Sequence, residues 1–233
     1  TQLPTSGRRL AGLGRSQEGM KPSPVDAIIF DFDGVLVESV DVKTNAFAML
    51  YAEHGPDVVK RVVAYHQEHG GISRFQKFRH FHREFLGVEL TSKAETDLGR
   101  RFSEIVENAV VAAPWVVGAW ELIQAYERTT PMFVASGTPD DELNRIVLRR
   151  GIRRYFVSVH GSPATKAEII GRIVAEHGFR KNRVLMIGDS VTDYQGAAEA
   201  GVRFIGRVAN PANTGFPKDV TTIPDMRFLS DFL

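Results

Sequence analysis

Asp31 and Asp33 stand two residues apart in the stretch AIIFDFDGVLVES, where an apolar run ends. If that run is a strand reaching Asp33, both carboxylates project from one face and Phe32 from the other. Two such charges ~5 Å apart repel by roughly 3 kcal/mol at an effective dielectric of ~20. A cation is the simplest compensation. Three further groups with chemical potential lie downstream. Ser136-Gly137-Thr138 places a small hydroxyl and a glycine at a helix start, where outward backbone amides favour an anion such as phosphate. Lys166 opens the next helix as a point charge suited to phosphate oxygens. Asp189 and Asp193, in GDSVTD, form a second acidic pair. Carboxylate oxygens without Cys or His support suit Mg²⁺, which keeps waters and also binds phosphate oxygens.

Each group alone has an ordinary explanation. Asp and Gly turn chains at strand ends, Ser136 could cap a helix, Lys166 could be a surface lysine, and Asp189 and Asp193 could favour a helix dipole. Their order and placement carry the argument, so the elements that position them matter. Apolar strand signals recur at 25–33, 131–137, 155–161, 183–190 and 202–208. Between them, Thr138-Pro139-Asp140-Asp141-Glu142 starts a helix that Gly151 closes. Thr165 and Glu168 have capping-box spacing on a helix ending near Gly178, and a third helix runs from about Thr192 to Ala200 before Gly201. The alternation predicts an α/β fold with a doubly wound, Rossmann-like parallel sheet. Ligands of such sheets sit at the carboxyl ends of the strands, where all four groups fall.

Residues 39–113 interrupt the alternation with helical spacing near 41–53, 57–68, 73–86 and 92–112. Phe75, Phe78, His82 and Phe85 make a stripe expected to pack. This predicts an all-helical cap subdomain inserted into a core of residues 24–38 and 114–233, with WVVGAWELIQAY forming the next helix after Pro114. Residues 1–23, rich in Gly, Ser, Pro and Arg, are expected to be a flexible tail without a secretory signal, with Met20 as a candidate start.

With these motifs in place, the sequence resembles the haloacid dehalogenase superfamily of phosphatases and phosphotransferases. The resemblance rests on DFDGVLVES with Asp31 and Asp33, VASGTP with Ser136, GSPATK with Lys166, and GDSVTDYQGAAEAG with Asp189 and Asp193, and spans residues 25 to about 208. It implies that Asp31 is a nucleophile giving an aspartyl-phosphate and that Asp33 is general acid, then base. It implies that Ser136, Gly137 and Lys166 hold the phosphoryl group. Mg²⁺ would be ligated by Asp31, Asp189 and the Asp33 backbone carbonyl, with Asp193 in direct or indirect contact. The superfamily's dehalogenases lack the second acid, so Asp33 argues against halide displacement. Thr165-Lys166-Ala167 departs from the Lys-Pro often found at the third motif.

An insertion after the first motif resembles the helical-cap subgroup, which includes phosphoglycolate phosphatase and β-phosphoglucomutase. A lid of that kind implies a small phosphate ester that can be enclosed while water is excluded. Cap residues should select it, and Arg74 and Lys77 in GGISRFQKF are the candidates for contacting an anionic leaving group, against the alternative of a solvated cationic face. His66, His69, His80 and His82 have no metal-site spacing and are expected at exposed helix positions. A phosphomutase that returns phosphate to the same sugar fits the same motifs, and a cap histidine or lysine shielding the aspartyl-phosphate would favour it. A phospho-receiver binding module also combines acids, a hydroxyl, a lysine and Mg²⁺, but is about half this length, has its acceptor Asp later and carries no lid.

The bulk numbers agree with a metabolite enzyme. With 29 basic and 28 acidic residues among 233, the net charge of +1 gives no basis for nucleic-acid or anionic-membrane partners. The basic run Arg149–Arg154 falls at a helix end, where its cations would offset the dipole. The absence of cysteine excludes disulfide and thiol chemistry and suits a reducing cytoplasm. No apolar run approaches the ~20 residues of a membrane span. A monomer or homodimer is expected.

Overall fold

The structure, a computed structural model, describes residues 25–209 and 215–233; the expected tail and Met20 lie outside the described residues. Six strands pair in parallel: β1 (Ala27–Phe30), β2 (Met132–Pro139), β3 (Ser158–Ser162), β4 (Val184–Gly188), β5 (Arg203–Arg207) and β6 (Thr222–Ile223). Their order is β3-β2-β1-β4-β5-β6, the doubly wound arrangement read from the sequence, with β6 as a short unforeseen addition. β1 is fully buried. Its alternate residues feed two cores: Ile28 and Phe30 face Met132, Val134, Leu143 and Ile123, while Ala27 and Ile29 face Phe133, Ile169, Ile170 and Ile173. A strand buried on both faces must be apolar throughout, which explains the unbroken run before Asp31.

The insertion is helical as expected: α1 (Val40–Leu50), α2 (Pro56–Glu68), α3 (Arg74–His80), which continues as a π-helical turn over Phe81–Leu86, and α4 (Ser92–Ala112). Phe47, Phe78, Phe81 and Phe102 form its centre, with Phe47 and Phe102 ring centroids 4.5 Å apart. Phe81, three residues after Phe78 on the same helical face, takes the buried place where the stripe put His82. His82 Nδ1 instead lies 3.0 Å from the Phe78 carbonyl and 3.2 Å from the Tyr51 hydroxyl.

The chain enters and leaves the insertion through adjacent segments. Glu38 N donates to Pro114 O (2.9 Å) and Val116 N to Leu36 O (3.0 Å). These bonds hold residues 114–118 extended or turned, so α5 starts only at Ala119 and ends at Tyr126, later than WVVGAWELIQAY suggested. The remaining helices are α6 (Asp140–Arg149), α7 (Lys166–His177) and α8 (Val191–Ala200). The Thr165–Glu168 capping box is present, and Gly178 and Gly201 close α7 and α8 in the left-handed conformation.

The basic run does more than sit at the end of its own helix. Arg150 Nη1 donates to the carbonyls of Val110, Val111 and Ala113, at 3.0, 2.8 and 2.8 Å. Its charge therefore meets the negative end of α4, across the junction between insertion and core. Arg149 and Arg145 both pair with Glu107 of α4. Among the described residues, no helix is long and apolar enough to cross a membrane.

Candidate active site

β1 and β4 are neighbours at the point where the strand order reverses, and Asp31 and Asp189 follow directly from their carboxyl ends. Asp31 N still donates to Ile187 O (2.9 Å), but β1 ends at Phe30 and the chain then turns, with Leu36 N donating to Phe32 O (3.0 Å). Asp31 and Asp33 are thus not a same-face strand pair, which corrects the simplest reading of their spacing. The turn separates them into two hydrogen-bond networks.

Asp31 is buried among Lys166, Asp189 and Asp193. Lys166 Nζ lies 3.1 Å from Asp31 Oδ2 and also pairs with Asp193 Oδ1. Burial first, and then the negative charge of Asp193, push the Asp31 carboxyl up to about 7 against the pull of Lys166; the Asp33 charge contributes less. Burial opposes the charge on Lys166, yet Asp193 and Asp31 outweigh it and keep the ammonium protonated. Asp193 Oδ2 meanwhile accepts from Ser190 N (3.0 Å) and Ser190 Oγ (2.6 Å), fixing the start of α8. Its early-turn role and its role in the site are both present.

Asp33 belongs to a different set. Ser39 Oγ donates to Oδ1 (2.6 Å), and Thr138 Oγ1 (3.1 Å) and Lys43 Nζ donate to Oδ2. Burial alone would raise this carboxyl, but the Lys43 charge and these hydrogen bonds overcome it and hold Asp33 below the usual carboxylate range. Lys43 is a neighbour of Asp33 that the sequence did not indicate, and Thr138 one it indicated only as a helix start. Thr138 does not cap α6 as expected; it remains in β2, and the N-cap is Pro139 without a side-chain bond.

Ser136 is buried, and its Oγ accepts from Thr138 N (3.1 Å). Ser136, Gly137, Asp31, Asp33 and Asp189 line one side of a cavity of about 600 Å³. Phe47, His66, Gly70, Gly71 and Lys77 of the insertion line the other. The two halves touch: Thr192 Oγ1 donates to Gly70 O (3.0 Å), and a Cβ on Gly137 would collide with Gly71 O. Gly34 is equally confined, at φ +74° with the place of a Cβ taken by Asp189 Oδ2.

The cap candidates are buried, which removes the solvated-face alternative. Arg74 reaches the cavity wall, but its guanidinium binds Glu142 of α6 through Nη1–Oε2 (2.8 Å) and Nη2–Oε1 (2.5 Å), with Ser103 bonded to both. It joins insertion to core where a contact with substrate was expected. Lys77 stays on the cavity wall. His66, expected to be exposed, is 7% exposed and 2.7 Å from Lys77 Nζ through Nδ1. His69 and His80 stack on Tyr65, each with ring centroids 3.9 Å away.

A family model for haloacid dehalogenase-like hydrolases matches residues 25–201, most of the chain. This protein belongs to that family. The α/β fold of this hydrolase recurs in solved structures at low sequence identity. CbbY from Rhodobacter sphaeroides, in complex with phosphate, superposes with a TM-score of 0.69 at 18% identity, covering 88% of this chain and 96% of its own. YfnB from Bacillus subtilis, bound to magnesium, gives 0.66 at 17% identity over 89% of this chain and 97% of its own. A predicted phosphoglycolate phosphatase from Haemophilus somnus gives 0.65 at 18% identity over 86% of this chain and 94% of its own. No curated protein sequence matches this hydrolase.

Among the described residues, the one group able to hold a metal ion is Asp31, Asp189 and Asp193, whose carboxylate oxygens lie within 4.8 Å of one another. Asp189 accepts no hydrogen bond or ion pair from any described residue, and burial, then Asp31 and Asp193, raise its pKa well above the ordinary value. An all-oxygen set with one unpartnered acid fits a hard divalent cation such as Mg²⁺. The Asp33 side chain is outside this group.

Proposed function

We propose that this hydrolase is a Mg²⁺-dependent phosphatase that cleaves a small phosphorylated metabolite, phosphoglycolate-like or a sugar phosphate, through an aspartyl-phosphate intermediate. The observation that carries this reading is the division of Asp31 and Asp33 between two networks. One acid lies with a lysine and the metal-competent carboxylates; the other accepts from three donors, of which Lys43 and Thr138 line the cavity.

In the first half-reaction Asp31 attacks the phosphorus, a P–O bond forms on its carboxylate, and the bond to the leaving alcohol breaks. Asp33 delivers a proton to the departing oxygen. Lys43 holds Asp33 as an ion-paired carboxylate in the ligand-free site, so Asp33 takes up that proton as the anionic substrate enters. In the second half Asp33 takes a proton from water as that water attacks the same phosphorus. The bond to Asp31 then breaks and inorganic phosphate leaves. Lys166, Ser136 and the amide at Gly137 orient the phosphoryl oxygens and offset their charge. Mg²⁺, held by Asp31, Asp189, the Asp33 carbonyl and Asp193 directly or through water, would neutralise the transferring group. The helical insertion acts as a lid that excludes bulk water.

A phosphomutase is the second reading. It is favoured by Lys43, a lysine of the insertion bonded to Asp33, because such a residue can hold the general acid/base away from water. A panel of phosphate esters assayed with and without Mg²⁺ tests both. Release of inorganic phosphate supports the phosphatase, and isomerised ester without release supports the mutase. Asp31→Asn should abolish turnover and the phosphorylated-enzyme peak in mass spectra; undiminished turnover would remove Asp31 as nucleophile.

A further inference from the structure

Lys77 and His66 stand out among the groups on the cavity wall because neither is satisfied within the protein. Lys77 is 1% exposed, and its one hydrogen bond among the described residues goes to His66 Nδ1 at 2.7 Å. It has no carboxylate partner among them. The other cations on this wall do: Lys43 pairs with Asp33, and Arg74 with Glu142. His66 Nε2 has no hydrogen-bond partner in good geometry, and the Val40 backbone is the polar group beside it.

The proton inventory fixes what the pair can bind. If the ammonium donates to Nδ1, the neutral imidazole carries its hydrogen on Nε2. The pair then offers the remaining ammonium N–H groups, which have no acceptor, and one imidazole N–H with only the Val40 backbone beside it. Burial first, then the charge of Lys77, hold His66 in the neutral form, down to about 3. Unmet buried donors beside a buried cation are unfavourable in the empty protein, and an anionic acceptor relieves them.

The cavity has room for such a group. Its volume of about 600 Å³ is in the usual range for sites that enclose a whole small molecule. With the phosphoryl group at Asp31 and Ser136, the part of the ligand that reaches Lys77 and His66 is the leaving alcohol.

We propose that Lys77 and His66 form an anion subsite, so that the substrate is a phosphate ester whose alcohol carries a second anionic group, a carboxylate or a second phosphate. This rests on the phosphatase reading above. The donors serve either anion, and matched substrates distinguish the two.

Initial rates of the full chain with Mg²⁺ should be measured on 2-phosphoglycolate against 2-hydroxyethyl phosphate, and on glucose 1,6-bisphosphate against glucose 6-phosphate. 4-Nitrophenyl phosphate serves as a generic ester. The anionic member of one pair should be preferred in kcat/KM by about tenfold or more, roughly one charged hydrogen bond's worth of discrimination. A preference confined to the first pair assigns a carboxylate, and one confined to the second assigns a phosphate. Lys77→Met should bring the preferred ratio close to one and raise the melting temperature of the ligand-free protein by about 2–4 °C. Equal rates within both pairs, a ratio untouched by Lys77→Met, or a variant that melts below wild type would each overturn the subsite. No turnover of any ester, 4-nitrophenyl phosphate included, would instead overturn the phosphatase reading on which it rests.

Discussion

Arg74 and Glu142 lock together across the junction between helical insertion and core, with both guanidinium Nη atoms on the two carboxylate oxygens and both side chains under 5% exposed. Neither residue is near its partner in sequence, and the pair exists only when the insertion lies over the site. Breaking a buried pair by removing one member leaves the other charge without compensation, at a cost of about 3–5 kcal/mol. Arg74→Ala should therefore lower stability by that amount in denaturant titrations. Arg74→Met combined with Glu142→Leu should recover most of it. A loss below ~1 kcal/mol for the single variant would show that the pair does not hold the two parts together.

The Asp33 network gives a kinetic prediction. Lys43→Met removes the ammonium that keeps Asp33 ionised and hydrogen-bonded, and Thr138→Val removes a neutral donor from the same oxygen. General acid–base catalysis contributes typically 10²–10⁴-fold, so losing its orientation should lower kcat by roughly 10–100-fold for Lys43→Met and less for Thr138→Val. KM should change little, because neither group is placed against the phosphoryl oxygens. Equal kcat in Lys43→Met and wild type would show that Lys43 does not orient Asp33 for catalysis.

Lys77 makes stability depend on pH with a definite sign. Burial first, and then the Lys43 charge, bring it down from 10.5 to about 7. The groups that act on it are His66 of α2, Lys43 of α1, Asp33 and Asp189 at the strand ends, and Lys166 of α7. Between the folded and unfolded values the unfolded chain binds the extra proton. Folding thus carries the full penalty below about pH 7 and loses it as pH rises towards 10.5. The melting-temperature gain of Lys77→Met should be largest at or below pH 7 and shrink steadily above it. A gain independent of pH would mean that packing, not charge, is responsible.

The unpartnered Asp189 gives a metal test that needs no substrate. Mg²⁺ at a hundredfold excess over its dissociation constant should stabilise the protein by about 2–3 kcal/mol, seen as a rise in melting temperature. Asp189→Asn should abolish most of that rise. It should also stabilise the metal-free protein, because one of three clustered acids no longer repels the others. An Asn variant that responds to Mg²⁺ like wild type would place the ion elsewhere.

The sequence alone determined the architecture and the central acids. The strands of the sheet must be apolar on both faces, and the caps and glycines that end the helices are local, so both are written in short segments such as AIIF and Thr165–Glu168. The same locality put Asp31 and Asp189 just past strand ends, Ser136 near the carboxyl end of β2 and Lys166 at the start of α7, and a doubly wound sheet gathers those places on one edge. Local spacing also misled. Asp33 looked like a strand partner of Asp31 until the turn after Phe30 carried it into another network, and His66 looked like an exposed helix position. Tertiary structure decided what the insertion's side chains meet. Lys43 reaches Thr138 and Arg74 reaches Glu142 only after the helices have folded over the sheet edge, and Lys77 meets His66 once α2 and α3 pack together. A charged side chain's role depends on which opposite charge it finds once water is removed, and that pairing is set by packing between segments far apart in the chain.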